Sequence, residues 1–146
     1  MEKRDVLPLP GATLAYMGDA ALEVLVRRRL IENGQTQSGK MNKLALCYVK
    51  ATEQSKAVDR ILPVLTEEEH AIFKRGRNAH GISAPKSAQT AEYRRATGFE
   101  ALFGYLFLTN DRARMEELFE VAFPQDDPQS KKQDRPASAD EIQNLT

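Results

Sequence analysis

The chain of 146 residues has a single cysteine, Cys47, and only two histidines. One thiol excludes an intrachain disulfide and any cysteine-cluster metal site. With no disulfide framework, the economical compartment is the cytosol. No apolar run approaches the roughly 20 residues that a membrane span needs. Met1 to Pro10 mixes acids with bases and lacks the apolar stretch of a signal peptide. Net charge is missing too: 21 Lys and Arg balance 21 Asp and Glu, for +0 at pH 7. That balance argues at first against a polyanionic partner, but a zero sum says nothing about distribution.

Along the chain the charge is uneven. Residues 122–146 are rich in Pro, Gln, Asp, Ser and Lys, and hold five acids against three bases. Such a segment buries too little surface to offset its ordering entropy and reads as a disordered tail. Residues 70–95 hold six bases against one acid, a local +5. Lys74, Arg75, Arg77, Lys86, Arg94 and Arg95 are those bases. The expected organisation is one domain over 1–121 followed by the tail.

Strand alternation and internal repeats are absent as well, so the fold class is all-α. A long helix is expected from Thr13, as N-cap, to a stop at Asn33-Gly34. Ser38 is the expected cap of a second helix through Tyr48. A third, about Thr52 to Leu62, ends at Pro63. Thr66 and Glu69 have capping-box spacing and open a fourth helix to about Arg77. Residues 78–87 read as loop. A long helix then covers about Ala88 to Leu108, and a last one runs from Asn110-Asp111 through Val121.

Two acids stand where local rules discourage them. Asp19 follows Gly18 in the middle of the first helix, although both are poor helix-interior residues. The bland account is a solvated face, with Asp19, Glu23 and Arg27 at i, i+4 and i+8 and a Glu23–Arg27 pair. Glu100 is the only charge in ATGFEALFGYLFL, residues 96–108. A buried carboxylate is costly unless paired or bound to a cation. Its bland account is an ion pair with Arg94 or Arg95. Gly98 and Gly104 flank Glu100 and let another backbone approach closely. If that backbone carries Asp19, two carboxylates converge in an apolar shell. Hard divalent cations such as Mg²⁺ bind one or two carboxylates plus water and substrate phosphate. Such an ion activates water and offsets charge on a scissile phosphate.

These segments resemble a known family. LAYMGDAALEVLV, residues 14–26, resembles the first signature of the ribonuclease III catalytic domain, and ATGFEALFGYLFL resembles the second. YVKATEQSKAV (48–58) and FKRGRNAHG (73–81) resemble the family's intervening stretches, in order. The short form of the family, the Mini-III ribonucleases, is the nearest likeness, because no length remains for a double-stranded-RNA-binding domain. The resemblance implies an all-α homodimer that cuts double-stranded RNA with Mg²⁺, with Mn²⁺ as a substitute. It implies maturation of the 23S ribosomal RNA precursor, with a ribosomal protein as a candidate helper. Asp19 and Glu100 match family acids. Ala15 and Thr97 stand where ordinary ribonuclease III has further acids, so one metal per subunit is expected. Lys74, Arg75, Arg77, Asn78, His80, Lys86, Arg94 and Arg95 are the expected RNA contacts, mostly to phosphates and 2′-hydroxyls. Leu14, Met17 and Phe103 suit either the core or a dimer interface. The alternative functions are an idle ribonuclease-III-like module that binds structured RNA, and a plain helical interaction bundle.

Overall fold

The computed structural model describes residues 1–79 and 91–125. Seven helices and one 3-10 turn are present among them, and no strand. A short α1, Lys3–Val6, precedes α2, Gly11–Glu32. α2 begins two residues before the expected Thr13 cap. The Pro10 carbonyl accepts from the amides of Thr13 and Leu14, at 3.0 and 3.1 Å. Pro10 is itself the N-cap residue, with φ −59° and ψ 147°, and no side chain caps this start. At the other end Gly34 takes φ +91° and Gln35 donates back to the Leu30 carbonyl at 3.0 Å. The Asn33-Gly34 stop is therefore real.

α3, Ser38–Val49, includes Ser38 as its first residue rather than as a cap, and Gln37 before it makes no capping bond. Lys50 alone, with extended backbone (ψ 139°), separates α3 from α4, Ala51–Ile61. Pro63 does not end the chain's helical path abruptly but tightens it into a 3-10 turn, Leu62–Val64. α5, Glu67–Arg77, opens with the expected capping box. The Glu69 amide donates to Thr66 Oγ1 at 3.1 Å, and the Thr66 amide donates to Glu69 Oε1 at 2.9 Å. α6, Ala91–Leu108, is followed by α7, Arg112–Ala122, where Asp111 accepts from the Arg114 amide. Residues 80–90, with most of the expected 78–87 loop and the expected start of α6 at Ala88, lie outside the described residues. So does the tail from Asp126 onward.

α6 is the central helix, packed by α2, α4 and α5. Its Phe99, Leu102 and Phe103 are fully buried with Leu14, Val58, Ile72 and Leu118. Leu14 and Phe103 therefore belong to the core of this chain, while Met17 is half-buried. Charged side chains fasten α7. Arg114 makes two bonds of 2.9 Å to the buried Glu69 carboxylate and one to the Val64 carbonyl. Arg60 donates to the Ala122 carbonyl at 2.8 Å, and Arg29 to that of Phe123. Among the described residues no helix is long and apolar enough to cross a membrane.

α3 contributes no fully buried residue. Gly39 in its first turn has nothing within 4 Å of an added Cβ. Gly39→Ala should raise stability by about 0.5 kcal/mol, because alanine narrows the unfolded ensemble without meeting a clash. Thermal unfolding checks the sign, and a lower Tm would contradict it.

Candidate active site

The two misplaced acids meet where α2 crosses α6. A Cβ on Gly18 would lie 1.6 Å from the Glu100 carbonyl oxygen and 2.9 Å from the Gly104 amide nitrogen. A Cβ on Gly104 would lie 1.9 Å from the Leu14 carbonyl oxygen. The two backbones therefore touch, which only glycine permits. Asp19, the neighbour of Gly18, is brought beside Glu100 by this contact. The expectation that a glycine next to Glu100 admits the Asp19 helix is met by Gly104. Gly98 serves another partner. A Cβ there would lie 2.7 Å from the Phe73 carbonyl, and one on Gly76 would lie 2.5 Å from Ala101 Cβ. The pair Gly76–Gly98 lays the end of α5 against α6, a contact that the sequence reading missed. The signal was Gly76 itself, inside an otherwise basic helix end.

Glu100 is half-buried and Asp19 exposed. Burial, and then the charge of Asp19, push the Glu100 carboxyl up to about 7 from its ordinary 4.5. Two carboxylates held together with one partly desolvated favour sharing a proton or a cation. The expected ion pair between Glu100 and Arg94 or Arg95 is not formed. Arg95 turns to α4 instead, donating to Ser55 Oγ at 3.0 Å and the Ser55 carbonyl at 3.1 Å, and pairing with Asp59. Arg94 is exposed. The Glu23–Arg27 pair does form, at 2.5 Å.

The donor set suits a hard divalent cation: carboxylate oxygens only, with one carboxylate disfavoured as an anion unless positive charge is supplied. Among the described residues no group of three or more His, Cys, Asp or Glu is placed to hold a metal. Ala15 and Thr97, at the positions of the missing family acids, are both buried. The Thr97 hydroxyl is occupied by the Tyr93 carbonyl at 3.0 Å. The site offers two protein carboxylates.

The expected RNA contacts divide by their placement. Lys74 and Asn78 are exposed at the end of α5, and Arg94 near the start of α6. Arg77 is half-buried, 5.9 Å over the Phe73 ring, and donates to Asn78 Oδ1 at 3.3 Å. Arg75 is committed elsewhere: it donates to the Leu7 and Leu9 carbonyls and pins the segment before α2. Arg95 is committed to α4, as above. His80 and Lys86 lie outside the described residues. The sequence reading also missed Tyr16, which stands 82% exposed one turn from Asp19. A large aromatic on the same side of the helix as Val24 and Ile31 was the available signal.

Known proteins resemble this chain in sequence and in fold. The ribonuclease III domain family matches residues 12–111. A Mini-ribonuclease 3 of Symbiobacterium thermophilum is 47% identical over 122 residues, covering 84% of this chain and 94% of that protein. A Mini-ribonuclease 3 of Enterococcus faecalis is 44% identical over 117 residues, covering 79% and 89%. A crystal structure of a Fusobacterium nucleatum protein superimposes with a TM-score of 0.69 at 29% identity, covering 80% of this chain and 94% of that one.

Proposed function

The chain belongs to the ribonuclease III family and is an endoribonuclease, and from this premise we propose that it cleaves double-stranded RNA with Mg²⁺ held by Asp19 and Glu100. The observation that carries the metal assignment is the approach of these two acids across the α2–α6 crossing, with no described base neutralising Glu100. Bound there, Mg²⁺ or Mn²⁺ supplies an activated water and offsets charge on the scissile phosphate. Asp19 provides the exposed carboxylate and Glu100 the partly desolvated one. Lys74, Arg77, Asn78 and Arg94 hold the RNA backbone, with His80 and Lys86 as further contacts. Arg75 and Arg95 act on this site through the chain segments they fasten. The substrate we assign is the 23S ribosomal RNA precursor, with a ribosomal protein as helper; the resemblance to Mini-III ribonucleases supports it.

A long RNA duplex tests the reaction. Wild type should cut it with Mg²⁺ or Mn²⁺ and not without. Asp19→Asn should reduce the rate about a thousandfold, since a metal ligand is worth several kcal/mol in such a transition state. Absence of cleavage with either ion would leave the idle RNA-binding module as the better reading.

The proposal includes a homodimer. Tyr16, Val24 at 62% and Ile31 at 60% exposure share one side of α2, beside Asp19. Such a stripe on a helix surface fits a second copy of the chain. Tyr16→Asp should shift the protein to monomer in sedimentation and lower duplex cleavage. A Tyr16→Asp variant that stays dimeric would remove this face from the interface.

A further inference from the structure

A surface groove runs between α2 and α7. Leu25, Arg28, Arg29 and Glu32 of α2 line it at i, i+3, i+4 and i+7, opposite Glu116, Glu117, Phe119 and Glu120 of α7. Its volume is about 270 Å³, just below the roughly 300–1,000 Å³ of small-molecule pockets. That space suits one long side chain rather than a cofactor.

The wall of the groove holds a buried donor without a hydrogen bond. The Arg29 side chain is 4% exposed. Its Nη1 donates to the Phe123 carbonyl, and the guanidinium lies 4.4 Å over the Phe119 ring. Nη2 is 2.9 Å from Glu120 Oε1, yet makes no hydrogen bond. Among the described residues it is the single buried side-chain nitrogen or oxygen left so. A buried donor is costly to leave unmade, so an acceptor that reaches it gains more than it would at an exposed group.

The acids of the groove offer the opposite chemistry. Glu32, Glu116, Glu117 and Glu120 are each at least 41% exposed. Their ion pairs with Arg28, Arg112, Arg114 and Arg29 all end on Oε1. The second oxygen of each carboxylate can therefore take a further donor. Four acids against two bases leave the lining negative, which disfavours a phosphate or nucleic-acid occupant. The fitting occupant has a cationic end for the carboxylates, an aliphatic stem for Leu25 and Phe119, and a nearby acceptor for Nη2. An arginine or lysine within a peptide has all three, the acceptor being a backbone carbonyl. Arg28, nine residues after Asp19, lies on the opposite side of α2 and about 14 Å farther along its axis.

We propose that this groove docks a basic peptide segment of a protein partner, which inserts one cationic side chain while a backbone carbonyl accepts from Arg29 Nη2. Docking there leaves the Asp19 side of α2 open, so the partner can hold the enzyme while its active site is occupied. The inference does not rest on the metal assignment or on duplex cleavage.

NMR titration of the full chain tests the docking, with an acetylated, amidated peptide of three arginines spaced by glycines as the probe. At low salt the Leu25 methyls, the Phe119 ring and the Arg29 side-chain N–H should shift, while the Asp19 amide stays in place. Glu32→Gln/Glu117→Gln should weaken binding about tenfold. In that variant Arg28 retains Glu116 and Arg114 retains Glu69, so the fold is kept. Glu2→Gln/Glu67→Gln removes the same charge at exposed positions elsewhere and should change affinity less than about twofold. Spermidine carries three positive charges and no carbonyl; it should bind about fivefold more weakly and leave the Arg29 signal unmoved. Shifts centred on Asp19 and Glu100, or equal losses in the two variants, mean general attraction of a polycation and overturn the proposal. Equal affinity for spermidine overturns it too, because the buried donor then plays no part. If no groove signal moves, the groove is not a docking site. A chain that docks the peptide and cuts no duplex overturns the proposed function and leaves this inference standing.

Discussion

Glu100→Gln should produce a protein that is more stable at pH 8 and nearly inactive. The Glu100 carboxyl is raised from 4.5 to about 7 by burial and by Asp19. Between those values the folded chain keeps a proton that the unfolded chain has released. Stability contributed by this group therefore falls as pH rises through that window and stays low above it. The full displacement corresponds to roughly 3 kcal/mol, and partial solvent contact reduces what is realised. Glutamine has nearly the same shape and carries no charge at any of these pH values. The variant should unfold about 4–10 °C above wild type at pH 8 in chelator, and at nearly the same temperature at pH 4. Mg²⁺ should narrow the gap at pH 8, because it stabilises only a chain that retains the site. Duplex cleavage should fall about a thousandfold, as for Asp19→Asn. The trade of activity for stability is the expected mark of a strained functional acid. Equal Tm values for variant and wild type at pH 8 would mean that Glu100 is not held at a cost.

Gly18→Ala should be the most damaging small change to the fold. Propensity alone favours it by roughly 1 kcal/mol, since alanine is the better helix former. Sterics decide otherwise. The new methyl would sit 1.6 Å from the Glu100 carbonyl oxygen, a backbone atom that no rotamer change can move. α2 and α6 must separate by well over 1 Å along the contact that buries Leu14, Leu102 and Phe103. Overpacking of this kind costs about 4 kcal/mol, at the upper end of single substitutions. That is a large share of the roughly 5–15 kcal/mol that holds a domain together. Gly104→Ala, with its methyl 1.9 Å from the Leu14 carbonyl, should behave alike. The same displacement would pull Asp19 from Glu100, so activity should fall even at temperatures where the variant remains folded. A Gly18→Ala protein with wild-type Tm would show that the helices do not pack through this glycine.

Much of this was legible because its causes are local. The Thr66–Glu69 capping box, the Asn33-Gly34 stop and the start of the last helix at Asn110-Asp111 each depend on a few adjacent residues, and each formed. Helix starts were less legible where proline or extended backbone, rather than a side-chain cap, set the boundary, as at Pro10 and Lys50. Asp19 and Glu100 stood out because a charge in an apolar helix violates patterning wherever the helix packs. The partners of Arg75 and Arg95 did not stand out. An arginine side chain reaches several ångströms, and its sequence context does not say whether a carbonyl, a carboxylate or solvent receives it.

The sequence by itself determined the helices, their order, the two anomalous acids and the concentration of base between 70 and 95, because periodicity, capping and burial cost act over short stretches of chain. Only the tertiary structure decided that Gly104 receives α2 while Gly98 receives α5, that Glu100 faces Asp19 instead of an arginine, and that Tyr16 points outward while Leu14 and Phe103 fill the core. Those outcomes depend on which helix surfaces approach within contact distance. That choice is made by the packing of the whole chain at once, where a single missing Cβ sets how close two backbones can come.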